Sequence, residues 1–180
     1  MKFTEERLDR NKHFVIVGDF CCGADDPLDV FLSDNSFDYD EHKLGNTYLL
    51  FETNSNTLLA FYTIKANGIQ IYDTETNEYN AIPVIEIARI AVHHEFQNSG
   101  IGKMLFYDYI LPKIKDVSEK IAVSAIMVFV ESHNETGINF YKSIGFKKPD
   151  ENVQKYISET FNEKCDLYVV SLSNAENKII

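Results

Sequence analysis

The sequence predicts a mixed α/β sheet with helices on its faces, and three observations predict it. Strand-like segments dominate the first half of the 180 residues. Two strand–helix–strand units follow in the second half. Short turn signals, rather than flexible linkers or repeats, separate the segments. A chain of this length forms one domain and buries a sizeable core.

Taken in order, His13 to Phe20 (HFVIVGDF) reads as a first strand. Asp25, Asp26 and Pro27 ahead of LDVFL signal a helix start, since acids and proline suit a first helical turn. Asn46 to Thr53 and Leu58 to Ala66 read as paired strands around the turn Thr53-Asn54-Ser55-Asn56. A short strand near Ile69 to Tyr72 and a polar hairpin-like loop to Asn80 come next. Pro83 to Val92 (PVIEIARIAV) is apolar enough to be central. Gly100 opens a helix to about Val117, with Ile101, Met104 and Leu105 on one face and Pro112 placed to kink or end it. Ile121 to Val130 reads as another buried strand and Asn134 to Ser143 as a helix. A strand begins at Gly145-Phe146, Glu151 to Phe161 reads as helical, and Cys165 to Leu172 is the last strand.

Composition narrows the function. No apolar run reaches spanning length, and the charged N-terminus does not read as a signal peptide, so the expected setting is cytoplasmic with no membrane partner. Cys21, Cys22 and Cys165 lack the spacing of a zinc site or a disulfide framework, and no metal is expected. The formal charge of −11 disfavours a nucleic-acid partner. Asp19, Asp25, Asp26, Asp29, Asp34, Asp38, Asp40 and Glu41 fall in one stretch without Lys or Arg. That stretch suits either a solvated face or attraction of a cationic substrate.

The most specific feature is Gln97-Asn98-Ser99-Gly100-Ile101-Gly102-Lys103, between an apolar strand and a helix. A helix start leaves N–H groups unpaired and carries partial positive charge. Glycines let those amides approach a diphosphate closely, and Lys103 adds a cation. Leu105 breaks the dinucleotide fingerprint, and Met104 after Lys103 breaks the P-loop pattern.

The run RIAVHHEFQNSGIGKMLFYDYI resembles the acetyl-CoA-binding signature of the GNAT acetyltransferases, Q/R-x-x-G-x-G/A after an apolar strand ending in Ala-Val. Gln97, Gly100 and Gly102 match it by position. A second signature, N-x-x-A-x-x-x-Y-x-x-x-G-F, is met by Asn134, Tyr141, Gly145 and Phe146, with Gly137 where alanine is usual. The resemblance is good from about residue 83 to 148 and implies one GNAT domain over residues 1–180, with a mostly antiparallel twisted sheet flanked by helices.

It implies acetyl transfer from acetyl-CoA, as co-substrate, to a primary amine. The amides of Gln97, Asn98, Ser99, Gly100, Ile101, Gly102 and Lys103 would hold the pyrophosphate. Ile90, Ala91 and Val92 would pair with the pantetheine arm as if it were a strand, which requires β-strand divergence after Pro83. Asn134 and Phe140 would also contact the cofactor, although Ser132-x-x-Glu135 equally looks like a capping box. Tyr141 would protonate the departing thiolate, the competing reading being a core tyrosine. Glu86, a carboxylate in an apolar strand, is the candidate general base; the competing reading is a structural ion pair, for which Arg89 lies on the opposite strand face. His93 and His94 line the loop as weaker candidates.

The segments Asp19 to Gly23, Leu28 to Leu32, Thr47-Tyr48 and Pro83 to Val92 are also similar to the tRNA-acetylating toxins of toxin–antitoxin pairs. Acidity and Glu86 set this chain apart from that branch. A small-molecule or protein amine is therefore the favoured acceptor, with aminoacyl-tRNA, a homodimer and a non-catalytic acyl-CoA-binding module left open.

Overall fold

Asp9 decides the first departure from the expected order. In the computed structural model, which describes residues 2–23, 26–73, 76–149 and 164–175, the Asp9 carboxylate accepts the amide protons of Asn11 at 2.8 Å and Lys12 at 3.3 Å. The His13 ring Nδ1 reaches back to accept the Asp9 N–H at 3.0 Å. That reciprocal cap starts a helix, α1 (Arg10–Gly18), where a strand was expected. The run HFVIV therefore follows helical spacing: His13 and Val17 are buried at i and i+4, while Phe14 and Val15 face solvent. The first strand is instead β1 (Phe3–Arg7), a charged edge strand that the sequence reading passed over.

The next helix begins as expected. Asp26 caps it by accepting the Leu28 N–H at 2.8 Å, and Pro27 occupies the first turn. It runs as α2 (Pro27–Val30), a π-helical turn (Phe31–Asn35) and α3 (Ser36–Glu41). Strand β2 (Asn46–Glu52) pairs antiparallel with both β1 and β3 (Thr57–Asp73), and a bulge lies between Leu50 and Phe51. The segment expected as a separate short strand at Ile69 to Tyr72 is a continuation of β3. β4 (Glu78–Val92) starts five residues before Pro83.

Gly100 caps α4 (Ile101–Met104), which continues through a π-helical turn (Leu105–Ile110) into α5 (Leu111–Ser118). Pro112 does not end this helix. Leu111 N–H bonds to Phe106 O, five residues back, and this wider turn makes room ahead of the proline ring. β5 (Ala125–Glu131) starts four residues later than expected; Ile121 is exposed, so the apolar run overstated the strand. α6 (Glu135–Ser143) follows, then β6 (Cys165–Ser171) and α7 (Leu172–Ala175). Where a strand was expected from Gly145-Phe146, the described residues give an isolated bridge between Lys147 and Val169. The helix expected at 151–161 lies outside the described residues.

Among the described residues the strands of the sheet stand in sequence order, β1 to β6. β5 pairs parallel with β4 and antiparallel with β6. Two compact units divide the chain: Met1–Lys65 with Ile87–Pro112, and Ala66–Glu86 with Lys113–Ile180. The first has a core around Leu8, Val17, Phe20, Phe31, Phe37 and Phe61. The second has one around Ile69, Val84, Ala125, Met127 and Leu167.

Candidate active site

In the first unit, β4 delivers Ile90, Ala91 and Val92 to the glycine loop. Ala91 is buried and its two neighbours are half-buried. The strand is held at its end by His93 N–H donating to Leu59 O at 2.8 Å. A 3-10 turn at His94–Phe96 leads into the loop. There Asn98 (φ 59°) and Gly100 (φ 90°) both take left-handed backbone conformations. At Gly100 that backbone, not lack of space, demands glycine, since an added Cβ would meet nothing within 4 Å.

The first bond into the helix runs from Met104 N–H to Gly100 O at 3.1 Å. The amides of Ile101, Gly102 and Lys103 therefore stand in the first turn without acceptors from the helix itself. Left-handed residues beside open amides form a concavity suited to anions, and Lys103 is exposed beside it. Ser99 Oγ donates to Phe96 O and pins the loop. A recess of about 260 Å³ beside the loop is lined by Phe3, Phe96, Ser99, Gly100, Ile101 and Met104.

Not every residue matched to the signature points its side chain outward. Gln97 Nε2 donates to Cys22 O at 2.6 Å and to Val92 O at 3.0 Å. His94 Nδ1 lies 3.1 Å from Cys21 O, and the His93 ring packs edge-on against Phe20 at 5.7 Å. Both histidines thus brace the loop. Arg89 is engaged by the Phe31 ring, 4.9 Å from its guanidinium carbon, and donates to Ala88 O.

In the second unit, Glu86 is buried, 5% exposed, and its Oε2 accepts from Asn67 Nδ2 at 2.6 Å. Asn67 Oδ1 accepts the Gly68 N–H at 2.7 Å, which fixes which end of the amide faces Glu86. Sequence reasoning missed Asn67; its only local signal was an Asn-Gly pair, which suggests a break rather than a strand.

Tyr141 is buried on α6, and burial pushes its phenol above the ordinary tyrosine range. Its position is set by the helix end. Gly145 (φ 101°) is left-handed; Phe146 N–H donates to Tyr141 O at 3.0 Å and Gly145 N–H to Lys142 O at 3.2 Å. This is a Schellman cap, whose customary apolar contact is made here by the Tyr141 and Phe146 rings, 5.4 Å apart. Half-buried Phe140 packs edge-on to Tyr141 at 5.1 Å.

At the other end of α6, Asn134 is the cap, its Oδ1 accepting the Gly137 N–H at 2.8 Å. The expected Ser132 cap is replaced, because the helix starts at Glu135 and Asn134 immediately precedes it. A Cβ at residue 137 would lie 2.9 Å from Asn134 Nδ2, so glycine fits this cap where alanine would press on it.

Among the described residues no cluster of His, Cys, Asp and Glu is arranged to hold a metal ion, and no helix is long and apolar enough to cross a membrane.

A mixed sheet, an anion-suited helix start after an apolar strand and a capped helix carrying a buried tyrosine define an acyl-CoA-dependent transferase. The model of the Acetyltransferase (GNAT) domain matches residues 45–148, and the chain belongs to that family. It is an acetyl-CoA-dependent acyltransferase with acetyl-CoA as co-substrate. Solved structures similar to it include a tyrosine-to-phenylalanine mutant of the AtaT toxin, with 20% identity, a TM-score of 0.77 and coverage of 97% of this chain and 92% of that one. A similar mutant of KacT is 19% identical, with a TM-score of 0.76 and coverage of 98% and 99%. AtaT complexed with acetyl-methionyl-tRNAfMet is 20% identical, with a TM-score of 0.75 and 98% of each chain covered. At these identities the likeness is one of fold.

Proposed function

We propose that the protein moves the acetyl group of acetyl-CoA to a primary amine by direct attack. The open amides of residues 101–103, with left-handed Asn98 and Gly100, hold the pyrophosphate. The backbone of Ile90, Ala91 and Val92 pairs with the pantetheine arm, and Asn134 and Phe140 contact it. Acetyl-CoA supplies the thioester carbonyl. As the amine nitrogen bonds to that carbon and the carbon–sulfur bond breaks, the amine proton passes to Glu86. The thiolate takes the Tyr141 proton. A phenol is protonated at neutral pH even at its ordinary value, so it can donate to the thiolate, and burial holds it further toward the protonated form at some cost in acidity.

The observation that carries this reading is the glycine loop: Asn98 and Gly100 are left-handed, and the amides of residues 101–103 have no acceptor within the helix that follows.

An aminoacyl-tRNA amine is a second reading, favoured by one specific feature. The acidic stretch is largely engaged: Asp40 pairs with Arg7, Asp38 and Glu41 pair with Arg10, Asp26 caps α2, and Asp29 accepts the Cys22 N–H. Arg7 and Arg10 offset part of its local charge, while the Asp26 and Asp29 carboxylates keep theirs. AtaT has been solved with acetyl-methionyl-tRNAfMet and with the C-terminus of the antitoxin AtaR. The net charge of −11 still favours a small or protein amine here.

The test is free-thiol release with acetyl-CoA against separate pools of polyamines, amino acids, lysine peptides and charged tRNA, repeated with Tyr141→Phe and Glu86→Gln. Release that depends on one pool and falls at least about tenfold in both variants supports the mechanism. Full activity in either variant removes that residue from it. Acetyl-CoA binding without release from any pool favours a binding module.

A further inference from the structure

The peptide carbonyls of Cys21 and Cys22 are tied to the glycine loop by side chains and backbone that no ligand is needed to hold. Gln97 Nε2 carries two hydrogens, and both are engaged, one on Cys22 O at 2.6 Å and one on Val92 O at 3.0 Å. His94 adds two bonds to Cys21 O, from its N–H at 2.8 Å and from ring Nδ1 at 3.1 Å. Because a carbonyl only accepts, that ring nitrogen carries the proton. The Asp29 carboxylate accepts the Cys22 N–H at 2.8 Å, so this peptide is gripped on both sides. Gln97 and Cys22 are 75 residues apart in sequence.

We infer that Gln97 is a positioning residue rather than a ligand contact. Its amide clasps the end of β4, the glycine loop and the Cys21-Cys22 segment into one piece. The loop amides are left to meet the anion, and anion binding there is transmitted to Cys22. The inference rests on the glycine loop being the acetyl-CoA pyrophosphate site. It accounts for a glutamine or an arginine at this signature position: both offer several N–H donors, and a carboxylate of the same length offers none.

Gln97→Glu, Gln97→Ala and Gln97→Arg test it in the full chain, with amide exchange measured in the free protein and acetyl-CoA affinity by calorimetry. In Gln97→Glu and Gln97→Ala, exchange at Cys22 and His94 should speed up at least about tenfold while α6 amides keep wild-type rates. Acetyl-CoA affinity should fall by a similar factor. Gln97→Arg should return both readouts to within about threefold of wild type, since donors are restored. In the wild type, acetyl-CoA should slow exchange at Cys22.

Lost affinity with unchanged exchange in the free protein would make Gln97 a direct ligand contact and overturn the clasp. An arginine variant as loose as the glutamate variant would overturn it too. Absence of acetyl-CoA binding by the wild type would sink the pyrophosphate reading, while the exchange rates in the free protein would still judge the clasp. The α6 amides report separately whether any variant has lost its fold.

Discussion

Two helix ends in this molecule use a left-handed glycine for opposite purposes. At the start of α4, Gly100 turns the chain so that the next amides are left open. At the end of α6, Gly145 turns it so that the Phe140, Tyr141 and Lys142 carbonyls are answered, Tyr141 O by Phe146 N–H. The first junction keeps unspent donors for a ligand. The second spends its bonds on holding a side chain still. Open polar groups mark binding, and closed ones mark positioning. Variants at the two junctions should therefore separate cleanly into affinity and rate.

The largest effect should come from Tyr141→Phe. The ring, its burial and its contact with Phe146 all survive, and only the donor is lost. Turnover should fall at least about tenfold, a loss of roughly 1.4 kcal/mol or more of transition-state stabilisation, with acetyl-CoA affinity held within about twofold. A matching loss of affinity would show that the tyrosine hydroxyl helps bind the cofactor, and the contrast between the two junctions would break.

Gly100→Ala and Gly145→Ala make the comparison directly, because each forces a Cβ onto a left-handed backbone. The strain is about 1–2 kcal/mol per residue. At Gly100 it should appear as weaker acetyl-CoA binding, on the order of tenfold, with turnover at saturation little changed. At Gly145 it should appear as lower turnover with affinity kept, because Tyr141 is displaced. Calorimetry beside saturated turnover numbers checks both. A Gly145→Ala enzyme with normal turnover and weak binding would reverse the assignment.

The α4 junction was legible in the sequence because its chemistry is local: the signature, the turn and the open amides span seven residues. The α6 cap was not: the motif places Gly145 four residues after Tyr141, but Gly145-Phe146 read as the start of a strand rather than as a helix end. What else failed was of two kinds. The segment HFVIV looks like a strand by composition, and only the Asp9 and His13 cap turns it into a helix. The supports of the site, Asn67 on Glu86 and Gln97 on Cys22, join residues 19 and 75 positions apart. No periodicity encodes such pairs, so they wait on the fold.

A smaller effect concerns pH. Burial raises the Tyr141 phenol above its ordinary value, and Tyr62, buried and donating to Glu5, is raised as well. The unfolded chain releases these protons near pH 10, before the folded chain does, so the unfolded state then binds fewer protons. The stabilisation is complete below about pH 10 and declines as pH rises above it. Denaturation midpoints should fall above that pH, and Tyr141→Phe should fall less steeply. Identical slopes in the two proteins would show that Tyr141 releases its proton freely. Such a phenol would be solvated, which is the opposite of the closed junction described above.

The smallest effect tests whether Asn134 belongs with the open end or the closed one. Its Oδ1 serves the cap, and its Nδ2 is the group that a pantetheine contact would use. Asn134→Ala should cost about 1 kcal/mol of stability by removing the cap. Asn134→Asp keeps an acceptor for the Gly137 N–H, exchanges the amide donor for a carboxylate oxygen and adds a negative charge that a helix N-terminus tolerates, so stability should hold. If Asn134 contacts the cofactor, acetyl-CoA affinity should drop several-fold in Asn134→Asp despite the intact cap. Unchanged affinity would leave Asn134 as a cap alone, and α6 would then be a positioning element from end to end.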